Sequence, residues 1–128
     1  MEYLYRENIT DNVVVIKINK TYRKDMTPLE LYECTRGVWK RKIKSVRPAR
    51  YALAVYKGQV VEVYKIFEWM KAGTVPMQTR DISEEHCKNR IEFTGEIAPA
   101  AVRIKYINKN ISKLYKFGEA DPVKTFFL

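Results

Sequence analysis

A pair of β-rich runs separated by a short turn constrains the fold of this chain more than any other stretch. The runs are Tyr51–Tyr56 and Val60–Phe67, and the turn between them contains Lys57 and Gly58. Because successive side chains on a strand point to opposite faces, such a pair can bury one face and expose the other. The sequence therefore predicts a β-hairpin at the centre of the chain.

The segment before the hairpin predicts one strand and one helix. Val13–Ile18 is a β-branched run long enough for a buried strand. Thr27 can cap a helix whose first residue is Pro28, and Glu30 completes a capping box with Thr27. We expect this helix to cover Pro28–Arg36 and to end before a glycine.

The remaining segments predict further strands and helices joined by loops. Arg90–Ile97 alternates apolar and polar residues, a short helix follows Pro99, and the apolar end Val123–Leu128 suits a last strand. Residues 40–50 and 70–82 contain prolines or dense charge and predict exposed loops.

This order of elements lacks the regular alternation of strand and helix that a doubly wound parallel sheet requires. A small, mostly antiparallel β-barrel or curled sheet with two or three helices fits better, which is an α+β fold. A chain of 128 residues with 46% hydrophobic residues suits one domain with a real core. We therefore expect a single domain over residues 1–128.

Positive charge exceeds negative charge, with 24 Lys and Arg against 15 Asp and Glu. The formal net charge of +9 favours a polyanionic partner, nucleic acid or an acidic membrane surface, although a merely soluble basic protein would show the same excess.

No apolar run approaches the roughly 18 residues of a membrane span, and the N-terminus lacks the apolar block of a secretory signal. Cys34 and Cys87 do not make a disulfide framework, so we expect a cytoplasmic protein with reduced thiols and no membrane partner.

Catalytic and metal-binding patterns are missing from the sequence. His86 is the only histidine, no nucleophile motif surrounds a serine, and the glycines are scattered instead of forming a phosphate-binding loop. His86, Cys87 and the distant Cys34 do not have the spacing of zinc ligands. We expect a protein that is not an enzyme, with no catalytic residues and with no metal or cofactor.

The first positive indication of function is the basic run between residues 40 and 50. It contains six cations and no acid: Lys40, Arg41, Lys42, Lys44, Arg47 and Arg50. Such a cluster contacts the phosphates of nucleic acids without reading their sequence. A solvated loop is the alternative interpretation of the same run.

The second indication is a tryptophan on each side of the hairpin, Trp39 before it and Trp69 after it. A tryptophan is most often a core residue, but these two lie in charged surroundings, next to Lys40 and Glu68 respectively. Two indoles at one rim could enclose a flat base, since base–aromatic stacking contributes about 1–3 kcal/mol per base. A base recognised in this way must leave its stack, and the same cage would remove a methyl group on the base from water.

Three segments resemble the YTH domain. In Val13–Trp39, VVVIKINKTYRKDMTPLELYECTRGVW, an apolar strand ends in Ile-Lys and a polar pair, and a helix runs out into Gly-Val-Trp. The hairpin YALAVYKGQVVEVYKI is similar to the next two strands of that family, and Arg90–Pro99, RIEFTGEIAP, resembles a later strand. The YTH domain belongs with EVE and other PUA-like domains, so the resemblance implies a PUA-like fold over about residues 13–100.

The resemblance also implies a site and a ligand. Trp39 matches the first wall of an aromatic cage, Trp69 supplies a second wall, and Asn19 matches a polar residue near the edge of the base. The implied ligand is nucleic acid with a flipped, methylated base, for which N6-methyladenine is the first candidate. Related prokaryotic domains are specificity modules of modification-dependent restriction systems. This relationship favours DNA over RNA and a nuclease or motor domain as a partner in the full system.

Three other functions stay open on the sequence alone. The same fold could bind RNA or DNA in general, without selectivity for a modified base. The pocket could instead serve an enzyme or a small-ligand sensor, or exposed tyrosines could contact a protein partner. Salt-sensitive binding that is indifferent to methylation would favour the first of these alternatives.

Overall fold

The predicted hairpin forms the middle of one mixed sheet. The computed structural model describes residues 2–128. Its strands are β1 Val13–Lys17, β2 Gly37–Trp39, β3 Tyr51–Tyr56, β4 Gln59–Lys71, β5 Ile91–Ile97 and β6 Val123–Phe126. Its α-helices are α1 Pro28–Arg36, α2 Ile43–Val46, α3 Glu84–Cys87 and α4 Ala100–Tyr106, and short 3-10 turns cover Arg6–Asn8 and Ser112–Leu114. The strands lie in the order β2-β5-β4-β3-β1-β6 across the sheet.

Antiparallel pairing dominates this sheet. β1 and β3 run parallel, whereas β6 pairs with β1, β4 with β3, and β5 with both β4 and β2 in antiparallel fashion. The sheet curls into a half-barrel, and α1, α2 and α4 pack against its strands. The predicted α+β class with a small, mostly antiparallel curled sheet is therefore confirmed.

Helix α1 begins where the sequence predicts it. The Thr27 hydroxyl accepts a hydrogen bond from the Glu30 N–H at 3.1 Å, and the Glu30 carboxylate accepts one from the Thr27 N–H at 3.0 Å. These two bonds are the predicted capping box, and they satisfy amide groups that the helix itself leaves without a partner. The helix then covers Pro28–Arg36, as expected.

Two predicted loops are shorter than expected. The basic run contains the one-turn helix α2, because Ile43 and Val46 lie on one side of that turn and Val46 is buried. Strand β4 continues to Lys71 instead of ending at Phe67, so Trp69 lies in a strand.

With α2, residues 2–128 contain four α-helices instead of two or three. None of the helices in this range is both long enough and apolar enough to cross a membrane.

Both faces of the sheet are buried against other parts of the chain. On one face Val13 and Val15 pack in a cluster with Tyr106 of α4. On the other face Val14 packs in a second cluster with Cys34 of α1. A strand that is buried on both faces needs apolar residues at successive positions, which explains the unbroken apolar run of β1.

The chain between β4 and α3, predicted to be a flexible loop, is held by a buried carboxylate of α1. The Glu33 carboxylate accepts hydrogen bonds from the Gln78 N–H at 2.8 Å and from the Thr79 N–H at 2.7 Å. The Thr79 hydroxyl donates to it at 2.6 Å. Burial alone would raise the pKa of Glu33, but the hydrogen bonds from Thr79 and Gln78 outweigh it and lower the pKa below the ordinary value.

A second buried carboxylate, on β5, holds the start of the same segment. Glu92 accepts hydrogen bonds from the Gly73 N–H at 3.0 Å and from the Val75 N–H at 2.8 Å. The Arg36 guanidinium lies 3.4 Å from the Glu92 carboxylate, and both side chains are at most 2% exposed. Arg36 also donates to the Val75 carbonyl at 3.0 Å. Burying these charges is tolerable because each carboxylate has several donors.

Replacing Glu33 with Gln is expected to destabilise the fold in a pH-dependent way. Because the folded-state pKa is lowered from 4.5, the ionised carboxylate stabilises the fold above that pH and loses this effect as the pH falls through the lowered value. We expect Glu33→Gln to reduce the free energy of unfolding at pH 7 by about 2 kcal/mol. The difference from wild type should shrink at lower pH, as measured by urea unfolding. An equal difference at every pH would contradict this role.

Candidate functional site

The basic run forms one wall of an open groove of about 870 Å³, here called the basic groove. Two other segments complete it, the end of β4 and the turn before β5. The lining residues are Lys40, Arg41, Lys42, Ile43, Lys44, Ser45, Lys71, Asn89, Arg90 and Ile91. Six of them are Lys or Arg and none is Asp or Glu, within the part of the chain that the structure describes. The groove therefore presents charge of a single sign.

Strand register explains why these distant residues meet. In the sheet Ile91 lies opposite Trp39 on one side and opposite Lys71 on the other. Lys40 directly follows Trp39, and Arg90 directly precedes Ile91. Strand β5, which lies between β2 and β4, thus brings cations from three sequence segments to one end of the sheet.

Most cations of the groove have no acidic partner among the residues that the structure describes. Among residues 2–128, Arg41 is the member of this set that forms an ion pair, with Asp121, and it also donates to the Val123 carbonyl at 2.8 Å. Arg41 thereby holds the chain that leads into β6. The other five cations, Lys40, Lys42, Lys44, Lys71 and Arg90, form no ion pair with the described residues. Their charge is available to an external anion.

A second depression, the aromatic cleft, lies on the other side of α2. It measures about 380 Å³ and is lined by Ile43, Arg47, Pro48, Ala49, Arg50, Ile66, Phe67, Glu68 and Trp69. Ile43 lines both the basic groove and the aromatic cleft, so the two are adjacent across α2. The predicted basic run is therefore divided, with Arg47 and Arg50 on the aromatic cleft and the other four cations on the groove.

Phe67 is exposed in the aromatic cleft because of a β-bulge. Ile66 pairs with Gly95 and Glu68 pairs with Thr94, so Phe67 is one extra residue in β4, with no counterpart in β5 of the described sheet. A bulge redirects the side chain of the extra residue, and the Phe67 side chain is 58% exposed. Sequence reasoning missed Phe67, although two features indicated a bulge: the shift of the apolar alternation between Ile66 and Trp69, and a glycine inside β5.

Gly95 makes the bulge possible. A Cβ atom at this position would collide with the Lys65 carbonyl oxygen and would also approach the backbone of Ile66. The Gly95 N–H donates to the Tyr32 hydroxyl of α1 at 2.9 Å, which fixes β5 at the same point. Glycine is required here by the close approach of two backbones.

The two arginines of the aromatic cleft are anchored through their backbone. The Arg50 carbonyl accepts a hydrogen bond from the Ile66 N–H at 2.8 Å, and the Arg50 N–H donates to the Asn12 carbonyl at 2.8 Å. The Arg47 N–H donates to the Ile43 carbonyl at 2.9 Å, at the end of α2. Both side chains are exposed, and the backbone bonds fix the point at the rim of the aromatic cleft from which each side chain starts.

The two predicted cage tryptophans lie on one face of the sheet but do not enclose one opening. Trp69 lines the aromatic cleft and packs edge-on against Phe93, with ring centroids 5.1 Å apart. The indole N–H of Trp39 donates to the Thr35 carbonyl at 2.8 Å, and Trp39 is not among the residues that line the cleft. The buried side chains of Ile91 and Phe93 lie on the strand between them.

Asn19 lies at the opposite end of the sheet. Its side-chain oxygen accepts a hydrogen bond from the Lys57 N–H at 2.8 Å and so shapes the turn between β3 and β4. The turn that Asn19 contacts leads into Gln59, the first residue of β4, and Trp69 lies ten residues further along this strand. At about 3.3 Å per residue, Gln59 and Trp69 are roughly 30 Å apart. The structure therefore does not bring Asn19 together with the two tryptophans.

A scan against protein-family models found no match, and searches of curated proteins and of solved structures found none either.

The substitution Gly95→Ala is expected to destabilise the bulge that exposes Phe67. The new methyl group would meet backbone atoms, which cannot move aside without breaking the pairing of β4 and β5. We expect a loss of about 3 kcal/mol in the free energy of unfolding, measured with urea.

Gly118→Ala is a suitable control for this experiment. Gly118 has a positive φ of +80°, but apart from its chain neighbours no atom of the described residues lies within 4 Å of the position of an added Cβ. The control variant should lose only about 1 kcal/mol of unfolding free energy, the cost of an alanine at a positive φ. Equal losses for the two variants would show that the close approach at Gly95 is unimportant.

Proposed function

We propose that this chain binds nucleic acid through the basic groove and the adjoining aromatic cleft. The observation that carries the proposal is the meeting of six cations from three separate segments in a groove whose described lining contains no acid. Such a surface attracts a polyanion by direct charge attraction and by the release of its counterions. Most of these cations form no ion pair with the described residues, so an anionic ligand would be their main partner.

The spread of the charges supports a phosphate chain over a small anion. A small anion is typically held by a few donors that converge on one point. Here the cations extend from Lys71 and Arg90 at the sheet end, past α2, to Arg47 and Arg50 at the aromatic cleft. A nucleic-acid backbone carries charges at regular intervals and matches an extended arrangement of this kind.

Recognition of a methylated base is a finer form of this proposal. The YTH resemblance implies that Trp39 and Trp69 act together on that base, yet Ile91 and Phe93 lie between them. General binding of nucleic acid therefore has more support from the geometry than a two-tryptophan cage. The PUA-like relationship, the preference for DNA and a role in modification-dependent restriction stay predictions from the resemblance.

A pair of matched charge-removal variants tests the proposal. In the groove variant Ala replaces Lys40, Lys42 and Lys44. In the control variant Ala replaces Lys20, Lys24 and Lys116, which are also exposed but lie outside the groove and the cleft. Both variants lose the same net charge, so general electrostatic attraction falls equally in both.

We expect the groove variant to bind a fluorescent 20-nucleotide strand about 10–100-fold more weakly at 0.1 M salt, and the control variant to change by less than about threefold. The slope of log affinity against log salt concentration should fall by about 2–3 in the groove variant, since each lost phosphate contact removes about 0.7–0.9. Equal weakening in both variants, or no binding by the wild type, would contradict the proposal.

A further inference from the structure

The aromatic cleft combines an exposed ring, an apolar floor and two cations. Phe67 is exposed at its rim, Ile66 and Trp69 contribute apolar surface, and Arg47 and Arg50 are both exposed beside them. A volume of about 380 Å³ lies within the range of small-ligand pockets. A flat, partly apolar group attached to an anionic chain would match this combination.

We propose that the aromatic cleft accepts one unpaired base and that the ligand of this surface is single-stranded nucleic acid. The inference rests on the proposed function, since the basic groove supplies the binding to the backbone. It adds the state of the strand and the residues that contact a base, with Phe67 as the stacking platform.

The exposure of Phe67 is imposed by the fold. The bulge in β4 directs this side chain outwards, and Gly95 permits the backbone approach that the bulge requires. An exposed phenyl ring forgoes the hydrophobic stabilisation that burial would give. Here the exposed ring lies beside cations, and a base stacked on it would remove its apolar face from water.

Stacking on Phe67 requires a base whose face is free. In a duplex each base is covered on both faces by its neighbours, and exposing one costs unstacking and unpairing energy. A single strand presents its bases without that cost, and non-specific binders of single strands combine a basic track with aromatic platforms. The basic groove and the aromatic cleft, adjacent across α2, provide these two parts side by side.

The arginines connect the two parts. The backbone of Arg50 is fixed next to Ile66 through its carbonyl, and its exposed side chain lines the same cleft as Phe67. A guanidinium can bind phosphate oxygens and can also stack on a base or a ring. Glu68, an exposed acid of the cleft lining, offers acceptor oxygens to a base amino group.

The test uses two labelled 12-nucleotide strands with equal numbers of phosphates, one with bases and one abasic throughout, together with a duplex of the same length. Binding is measured for wild type, Phe67→Leu, Phe67→Tyr and Phe117→Leu. Phe117 is fully exposed and lines neither the basic groove nor the aromatic cleft, so it is the control for loss of an exposed ring.

We expect wild type to bind the base-containing strand about tenfold more tightly than the abasic strand and more tightly than the duplex. Phe67→Leu should bind the base-containing strand about tenfold more weakly than wild type does, with no change in its affinity for the abasic strand. Phe67→Tyr and Phe117→Leu should both retain wild-type affinity. The inference is overturned if the base-containing and abasic strands bind equally or if the duplex binds as tightly as the single strand. It is also overturned if Phe67→Leu binds the base-containing strand with wild-type affinity.

The same binding measurements distinguish failure of base recognition in the aromatic cleft from failure of the proposed function. If both strands bind equally and in a salt-dependent manner, the basic groove binds backbone and the aromatic cleft takes no base. If neither strand nor duplex binds, the proposed function fails and this inference fails with it.

Discussion

The pairing of β5 between β2 and β4 is the constraint on which the rest of the structure depends. This one strand places Ile91 between Trp39 and Lys71, which brings the cations of the basic groove to one end of the sheet. Its Gly95 permits the bulge that exposes Phe67. Its Glu92 accepts hydrogen bonds from the Gly73 and Val75 N–H groups and so fixes the start of the segment between β4 and α3. The site and the stability of its surroundings thus share a single structural origin.

The groove has an energetic cost that the fold must offset. Like charges brought close together repel one another and destabilise the compact state. Here five cations of the groove form no ion pair with the described residues, whereas buried Arg36 has Glu92 as its partner. The apolar clusters on both faces of the sheet supply the stabilisation that makes such a surface tolerable. Buried charge is therefore paired, whereas the surface charge that the proposed ligand would contact has no partner among the described residues.

Local patterns in the sequence predicted much of the fold and the basic run of the candidate site, but not the residues that other segments contribute to that site. The capping box at Thr27 and Glu30 and the alternation in the hairpin are determined by neighbouring residues, so α1 and the strand pair β3–β4 were predictable. The roles of Lys71 and Arg90 depend on the register of β5, which joins residues far apart in sequence and leaves no local pattern. Asn19 was assigned by resemblance, and its hydrogen bond to Lys57 depends on the packing of a distant turn.

The most direct test of this account is a titration of the ¹⁵N-labelled chain with a single-stranded oligonucleotide, followed by amide chemical shifts. We expect the chemical-shift changes to concentrate in residues 40–50, 67–71 and 89–91, which surround the basic groove and the aromatic cleft. Amides near Asn19, Lys57 and Phe117, which lie apart from both, should stay unchanged. Shifts concentrated around Asn19 and Phe117, or no shifts at all, would contradict the central claim that this end of the sheet binds nucleic acid.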